Sequence, residues 1–145
     1  MKVVLDTNVW VSAYLNPRGV PGQVVDALSS GRIEAVSTEH LWTELRRVVY
    51  EPKVREMLEA RNLWDDARLL VAMQLRVELI ENESPHENWL ADDPDDDWVI
   101  QCALSANADY IVTGDKALLG LSRIGNVRIV SPGDFVTKVL EIADK

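Results

Sequence analysis

The sequence predicts one α/β domain with three layers, in which helices cover both faces of a central parallel sheet of about five strands. Three observations predict it. Short apolar runs rich in β-branched residues, such as Lys2–Leu5 and Val127–Val130, alternate with stretches whose apolar residues recur at helical spacing. Parallel neighbours need crossover connections, and intervening helices supply them while covering the sheet. Finally, 145 residues, 47% of them hydrophobic, suit a single domain over 1–145 whose core does without disulfides or structural metal.

Element by element, Lys2–Leu5 reads as a buried strand that stops at Asp6-Thr7-Asn8. Val9–Leu15 is a short helix ended by Asn16-Pro17-Arg18-Gly19, and Pro21–Ser29 a second with Gly31 beyond its C-terminus. Ile33–Ser37 is the next strand. Ser37 or Thr38 can cap the helix after it, whose apolar face carries Leu41, Leu45 and Val48. Pro52–Ala60 and Leu63–Leu75 form a helical hairpin around Asn62, and Val77–Ile80 is the third strand. A helix from Pro94 to about Asn107 is apolar almost all round, the mark of a buried helix. Tyr110–Thr113 and Val127–Val130 are strands four and five, and Ser131–Ile142 closes the chain as a helix.

No apolar run approaches the roughly 18 residues of a membrane helix. The N-terminus meets Asp6 too early for a signal peptide. A lone Cys102 in an apolar stretch fits a reducing, cytoplasmic setting, and one cysteine with two histidines is too few for a zinc finger.

The net charge of −9 argues at first against a nucleic-acid partner. Its distribution says otherwise. Val77–Asp115 contains 11 acids and no lysine or arginine, whereas the rest of the chain carries 15 bases and 13 acids. The densest part is Asp92-Asp93-Pro94-Asp95-Asp96-Asp97. Crowded carboxylates raise one another's pKa, and a divalent cation would relieve the repulsion. A solvated acidic loop is the plainer reading of such a run taken alone.

In open parallel sheets the ligand site lies beyond the C-terminal strand ends, at a switch in strand order. Asp6 ends strand one, Asp115 follows strand four, Asp97 sits in the first turn of the helix before strand four, and Glu44 lies on the helix after strand two. Four acids without histidine suit a hard cation such as Mg²⁺ or Mn²⁺. Each acid alone also has an innocent explanation: a turn, an i,i+3 pair with Arg47, a charge opposing a helix dipole, or an N-cap. Their joint placement is the stronger signal.

The residues that carry this pattern resemble the PIN-domain ribonucleases. Val3-Val4-Leu5-Asp6-Thr7-Asn8 is similar to the family's opening, and Glu44 stands where the family has its second acid. The most specific stretch runs from Asp97-Trp98-Val99-Ile100 through Ala108-Asp109-Tyr110-Ile111-Val112-Thr113-Gly114-Asp115. Within the family the chain looks like the toxin subunit of a toxin–antitoxin pair (VapC-like).

The resemblance implies an Mg²⁺- or Mn²⁺-dependent ribonuclease holding one or two ions on Asp6, Glu44, Asp97 and Asp115, assisted by Asn8 and Thr113. It also implies a cognate antitoxin and a homodimer. Asp97 is preferred for its separation of 18 residues from Asp115, although Asp93 or Asp96 could share the role. Arg46, Arg47 and Lys116 are candidate phosphate contacts. Trp42 and Trp98 neighbour proposed ligands and are either base-stacking surfaces or core, while Trp64 on the hairpin suits a partner surface.

A dehalogenase-like phosphatase would want an acid where Asn8 stands, and a receiver domain would want an aspartate after strand three, where Glu81-Asn82-Glu83 follows. No glycine loop for nucleotide phosphates is present. The alternative of another class is a catalytically silent PIN-fold module that binds a protein or RNA.

Overall fold

The computed structural model of the chain describes residues 1–73, 77–81, 84–90 and 93–141. The expected helix end at Leu75 and closing end at Ile142 lie outside them. Six strands, β1 (Lys2–Leu5), β2 (Glu34–Thr38), β3 (Val77–Ile80), β4 (Tyr110–Val112), β5 (Arg123–Ile124) and β6 (Val127–Val130), form one sheet in the order β3-β2-β1-β4-β6-β5. All neighbours are parallel except β5 and β6. Strand β5 is the addition to the expected five, because two residues returning through the turn at Gly125 (φ +58°) are too few for any periodicity.

Side chains alternate across each strand, so the sheet buries both faces. Val3, Leu5 and Ala35 point into one core layer, with helices α1 (Thr7–Leu15), α2 (Val20–Ser29), α3 (Glu39–Val49), α4 (Pro52–Ala60) and α5 (Trp64–Met73) over it. Val4, Val36, Ile111 and Ile129 point into the other, under α6 (Pro94–Ala106) and α7 (Lys116–Leu121). The three expected layers are present. The terminal segment begins as an α-turn at Pro132–Asp134, capped by Ser131, and continues as a π-helix over Phe135–Leu140 rather than one regular α-helix. Helical spacing of apolar residues does not separate these hydrogen-bond patterns.

Two helices orient the site. On α3, Thr38 accepts from the Leu41 amide as N-cap, and the inward face is Trp42, Leu45 and Val49 rather than Val48. Trp42 meets Trp10 edge to face at 5.4 Å, and its indole N–H donates to the Val71 carbonyl at 3.0 Å. Trp42 is therefore core, which fixes the opposite face of α3 toward the strand ends. On α6, Pro94 at the first turn and Asn107 in the left-handed conformation (φ 51°) mark start and stop. Among the described residues, no helix is long and apolar enough to cross a membrane.

Trp42→Phe should remove the indole donor and strand a buried carbonyl. The expected cost is about 1–3 kcal/mol, read as a fall of several degrees in melting temperature.

Candidate active site

Strands β2 and β3 lie to one side of β1, and β4 and β6 to the other, so the order reverses between β1 and β4. Register pairs Leu5 with Val112, which sets Asp6 beside Thr113 just past the strand ends. The Asp6 amide donates to the Val112 carbonyl, and its own carbonyl accepts from Val9 and Trp10 to start α1. Asp6 occupies the N-cap position, yet its side chain caps nothing. Instead the Thr113 hydroxyl donates to Asp6 Oδ2 at 2.8 Å, and Thr113 Oγ1 accepts from the Asp115 amide at 3.0 Å. Thr113, fully buried, thus links both acids. Asp115 Oδ1 accepts from the Ala117 and Leu118 amides as N-cap of α7.

A cleft of about 160 Å³ opens here, lined by Asp6, Asn8, His40, Glu44, Asp93, Asp95, Asp96 and Asp115. Single carboxylate oxygens of Asp93, Asp96 and Asp115 lie within 4.8 Å of one another. Asp96 is buried, and its Oδ2 finds no hydrogen-bond partner among the described residues. Burial first, then the charges of Asp115, Asp93 and Asp6, push its pKa up to about 8. Burial also raises Asp6, against the lowering effect of the Thr113 hydrogen bond.

Of the expected residues, the structure brings Asp6, Asn8, Glu44 and Asp115 together, with Thr113 behind them. It does not bring Asp97. That carboxylate is buried elsewhere and accepts from the Leu90 amide at 2.9 Å. One turn on, Gln101 accepts from the His86 amide at 3.1 Å, so this face of α6 anchors the preceding loop. Asp96 is rotated by one residue, about 100° around the helix, and faces the cleft with Asp93. Of the two residues weighed for this position, Asp96 lines the cleft and Asp97 does not.

The expected phosphate contacts are less committed to the cleft. Arg47 bonds Glu44 at 3.0 Å and Glu51 at 2.8 Å, and Arg46 bonds Glu39 and Thr43. Both run along α3. Lys116 is exposed at the start of α7 and does not line the cleft. His40 lines the cleft without having been anticipated, since an isolated histidine has no spacing signature.

The family model described as a PIN domain matches residues 2–117. The chain belongs to the PIN-domain family. A relative, an uncharacterized protein of Methanocaldococcus jannaschii, is 31% identical over 144 residues, covering 94% of this chain and 90% of that one. In the crystal structure of VapBC2 from Rickettsia felis bound to a DNA fragment from their promoter, one chain superposes with a TM-score of 0.58 at 17% identity. The match covers 90% of this chain and 98% of that chain, and it is a likeness of fold.

The donor set of this PIN domain fits a hard divalent cation. It is made of carboxylate oxygens, three of which come from the stretch without lysine or arginine, and it includes a buried oxygen that no donor among the described residues satisfies. Asp93, Asp96 and Asp115 are grouped closely enough to hold one, and Asp6 and Glu44 line the same cleft.

A raised carboxyl pKa means that the folded state holds the Asp96 proton from pH 4 to 8 while the unfolded chain releases it. Metal-free stability should therefore fall as pH rises through that window, by on the order of a few kcal/mol. Asp96→Asn should flatten the slope, melting above the wild type at pH 8 and level with it near pH 4. Millimolar Mn²⁺ should raise the melting temperature of wild type and of Asp97→Asn, in which the Leu90 hydrogen bond survives, but not of Asp96→Asn. A metal response in Asp96→Asn and none in Asp97→Asn would return the role to Asp97.

Proposed function

We propose that this PIN domain is a divalent-metal-dependent ribonuclease that hydrolyses RNA phosphodiester bonds and serves as the toxin of a toxin–antitoxin pair. The observation that carries the reading is the convergence of Asp6, Asp93, Asp96 and Asp115 on one cleft at the sheet's switch point, with a buried Asp96 oxygen that has no hydrogen-bond partner among the described residues. A silent binding module would gain nothing from holding like charges together in this way.

When bound, Mg²⁺ or Mn²⁺ supplies charge neutralisation at the phosphoryl oxygens and a lowered pKa for water. The chain's own residues do the rest. Thr113 holds the Asp6 carboxylate in one orientation and, through the Asp115 amide, fixes Asp115 relative to it. Helix α7 holds one Asp115 oxygen by two amides, which keeps the carboxylate directed. Glu44 stands across the cleft on α3, oriented by Arg47. Asn8, exposed at the first turn of α1, is placed to orient a water or a phosphate oxygen. No side-chain nucleophile is required.

The fold likeness to a chain of VapBC2 supports an antitoxin partner. The hairpin of α4 and α5 offers it a surface. Trp64 packs edge to face on the exposed Tyr50 at 5.1 Å, with the Arg55 guanidinium 4.7 Å over its ring. A homodimer through the same helical layer and a cytoplasmic setting complete the proposal.

Purified protein should cleave RNA in Mn²⁺ or Mg²⁺ and stop on addition of EDTA. Asp6→Asn and Asp96→Asn should abolish cleavage, and Thr113→Val should lower the rate about ten- to a hundredfold by loosening Asp6. Cleavage by the wild type that is no greater than by Asp6→Asn would remove the enzyme reading and leave the binding module.

A further inference from the structure

The cleft is lined by one ring as well as by carboxylates. His40 stands in the first turn of α3, one turn before Glu44 on the same face. It lines both the acidic cleft and a shallow depression that continues from it past Thr43 and Arg47. Its imidazole lies flat on the Trp98 indole, with centroids 3.8 Å apart and planes 11° from parallel. Trp98 is two residues beyond Asp96 on α6, packs on the core layer beneath, and lines neither cavity. The indole therefore backs one face of the imidazole, and the ring borders the space that a substrate must cross. The two helices that carry Glu44 and Asp96 also carry the two rings, so the stack is fixed relative to the acids.

We infer that His40, held flat by Trp98, stacks on a nucleobase beside the phosphate being cut and so helps to hold the substrate. The inference rests on the ribonuclease reading and deepens it. Aromatic rings that contact RNA bases act on splayed, single-stranded nucleotides, because bases inside a duplex already have both faces covered. Trp98 acts through His40 and is a positioning residue. Its indole sets the plane and height of the imidazole, while the depression beyond His40 gives the adjoining nucleotide a path along α3.

The test is Mn²⁺-dependent cleavage of a short single-stranded RNA and of the same sequence as a duplex, with binding followed by anisotropy of the labelled RNA in Ca²⁺. His40→Ala and Trp98→Ala should raise KM and the anisotropy Kd roughly tenfold to a hundredfold, with kcat changed far less. His40→Phe keeps a ring and loses both imidazole nitrogens, so it should restore binding; its melting temperature serves as the folding control. Duplex should be cut more slowly than single strand by the wild type. The inference is overturned if His40→Phe is as impaired as His40→Ala, which would make the imidazole a hydrogen-bonding group. It is equally overturned if His40→Ala leaves KM unchanged or if duplex is preferred. These outcomes in a protein that cleaves RNA sink the stacking role alone, whereas absence of metal-dependent cleavage in the wild type sinks the ribonuclease reading with it.

Discussion

The Thr113 hydroxyl bridges the sheet at the place where its strand order reverses. It donates to Asp6 at the end of β1 and accepts from the amide of Asp115 beyond β4, and it is fully buried while doing so. A buried hydroxyl must be satisfied, and here both its partners belong to acidic residues of the cleft. The parallel register of β1 and β4 brings the pieces within reach, and the hydroxyl then removes their remaining freedom. Everything else at the site is arranged around this pair: α1 departs from Asp6, α7 departs from Asp115, and the first turn of α6 closes the cleft.

That arrangement concentrates negative charge where the fold has little to offset it. Asp6 and Asp96 are both held above their ordinary pKa, by burial first and neighbouring carboxylates second. The folded chain tolerates this because the sheet and two apolar layers hold the elements in place independently of the cleft. A site that is strained without a cation is one that can bind it strongly, since binding relieves the same repulsion. The net charge of −9 is thus partly a local property of the cleft, although Glu78 and Glu87 belong to the acidic block and do not line it.

Much of this was legible in the residues. Asp6 and Asp115 follow apolar strands directly, so a doubly wound sheet puts them together whatever the details of packing. Glu44 was legible too, because Thr38 caps its helix and the hydrophobic face leaves it on the other side. Within Asp95-Asp96-Asp97 the residue preferred on spacing, Asp97, lies one position from Asp96, which the sequence had left open and which lines the cleft. A preferred spacing in sequence selected Asp97, but consecutive helical positions differ by about 100°, and a helix apolar almost all round has no face that announces its direction. Contacts with the loop before it decide the phase: Asp97 and Gln101 bind the backbone of Leu90 and His86, which turns Asp96 to the cleft. The pairing of His40 with Trp98 was hidden for a related reason, since 58 positions separate them and only the packing of α3 beside α6 stacks their rings.

By itself the sequence determined the layers, the parallel strands, the acidic character of one mouth of the sheet and the family pattern that goes with it. These follow from periodicity and from chain direction, which are properties of consecutive residues. Tertiary structure alone decided which aspartates of the run enter the cleft, that Trp42 serves the core, that a two-residue antiparallel strand closes the sheet, and that an imidazole lies flat on an indole beside the cleft. Each of those depends on the rotation of one helix against another, and that rotation is set by side chains far apart in the chain packing to near-crystalline density.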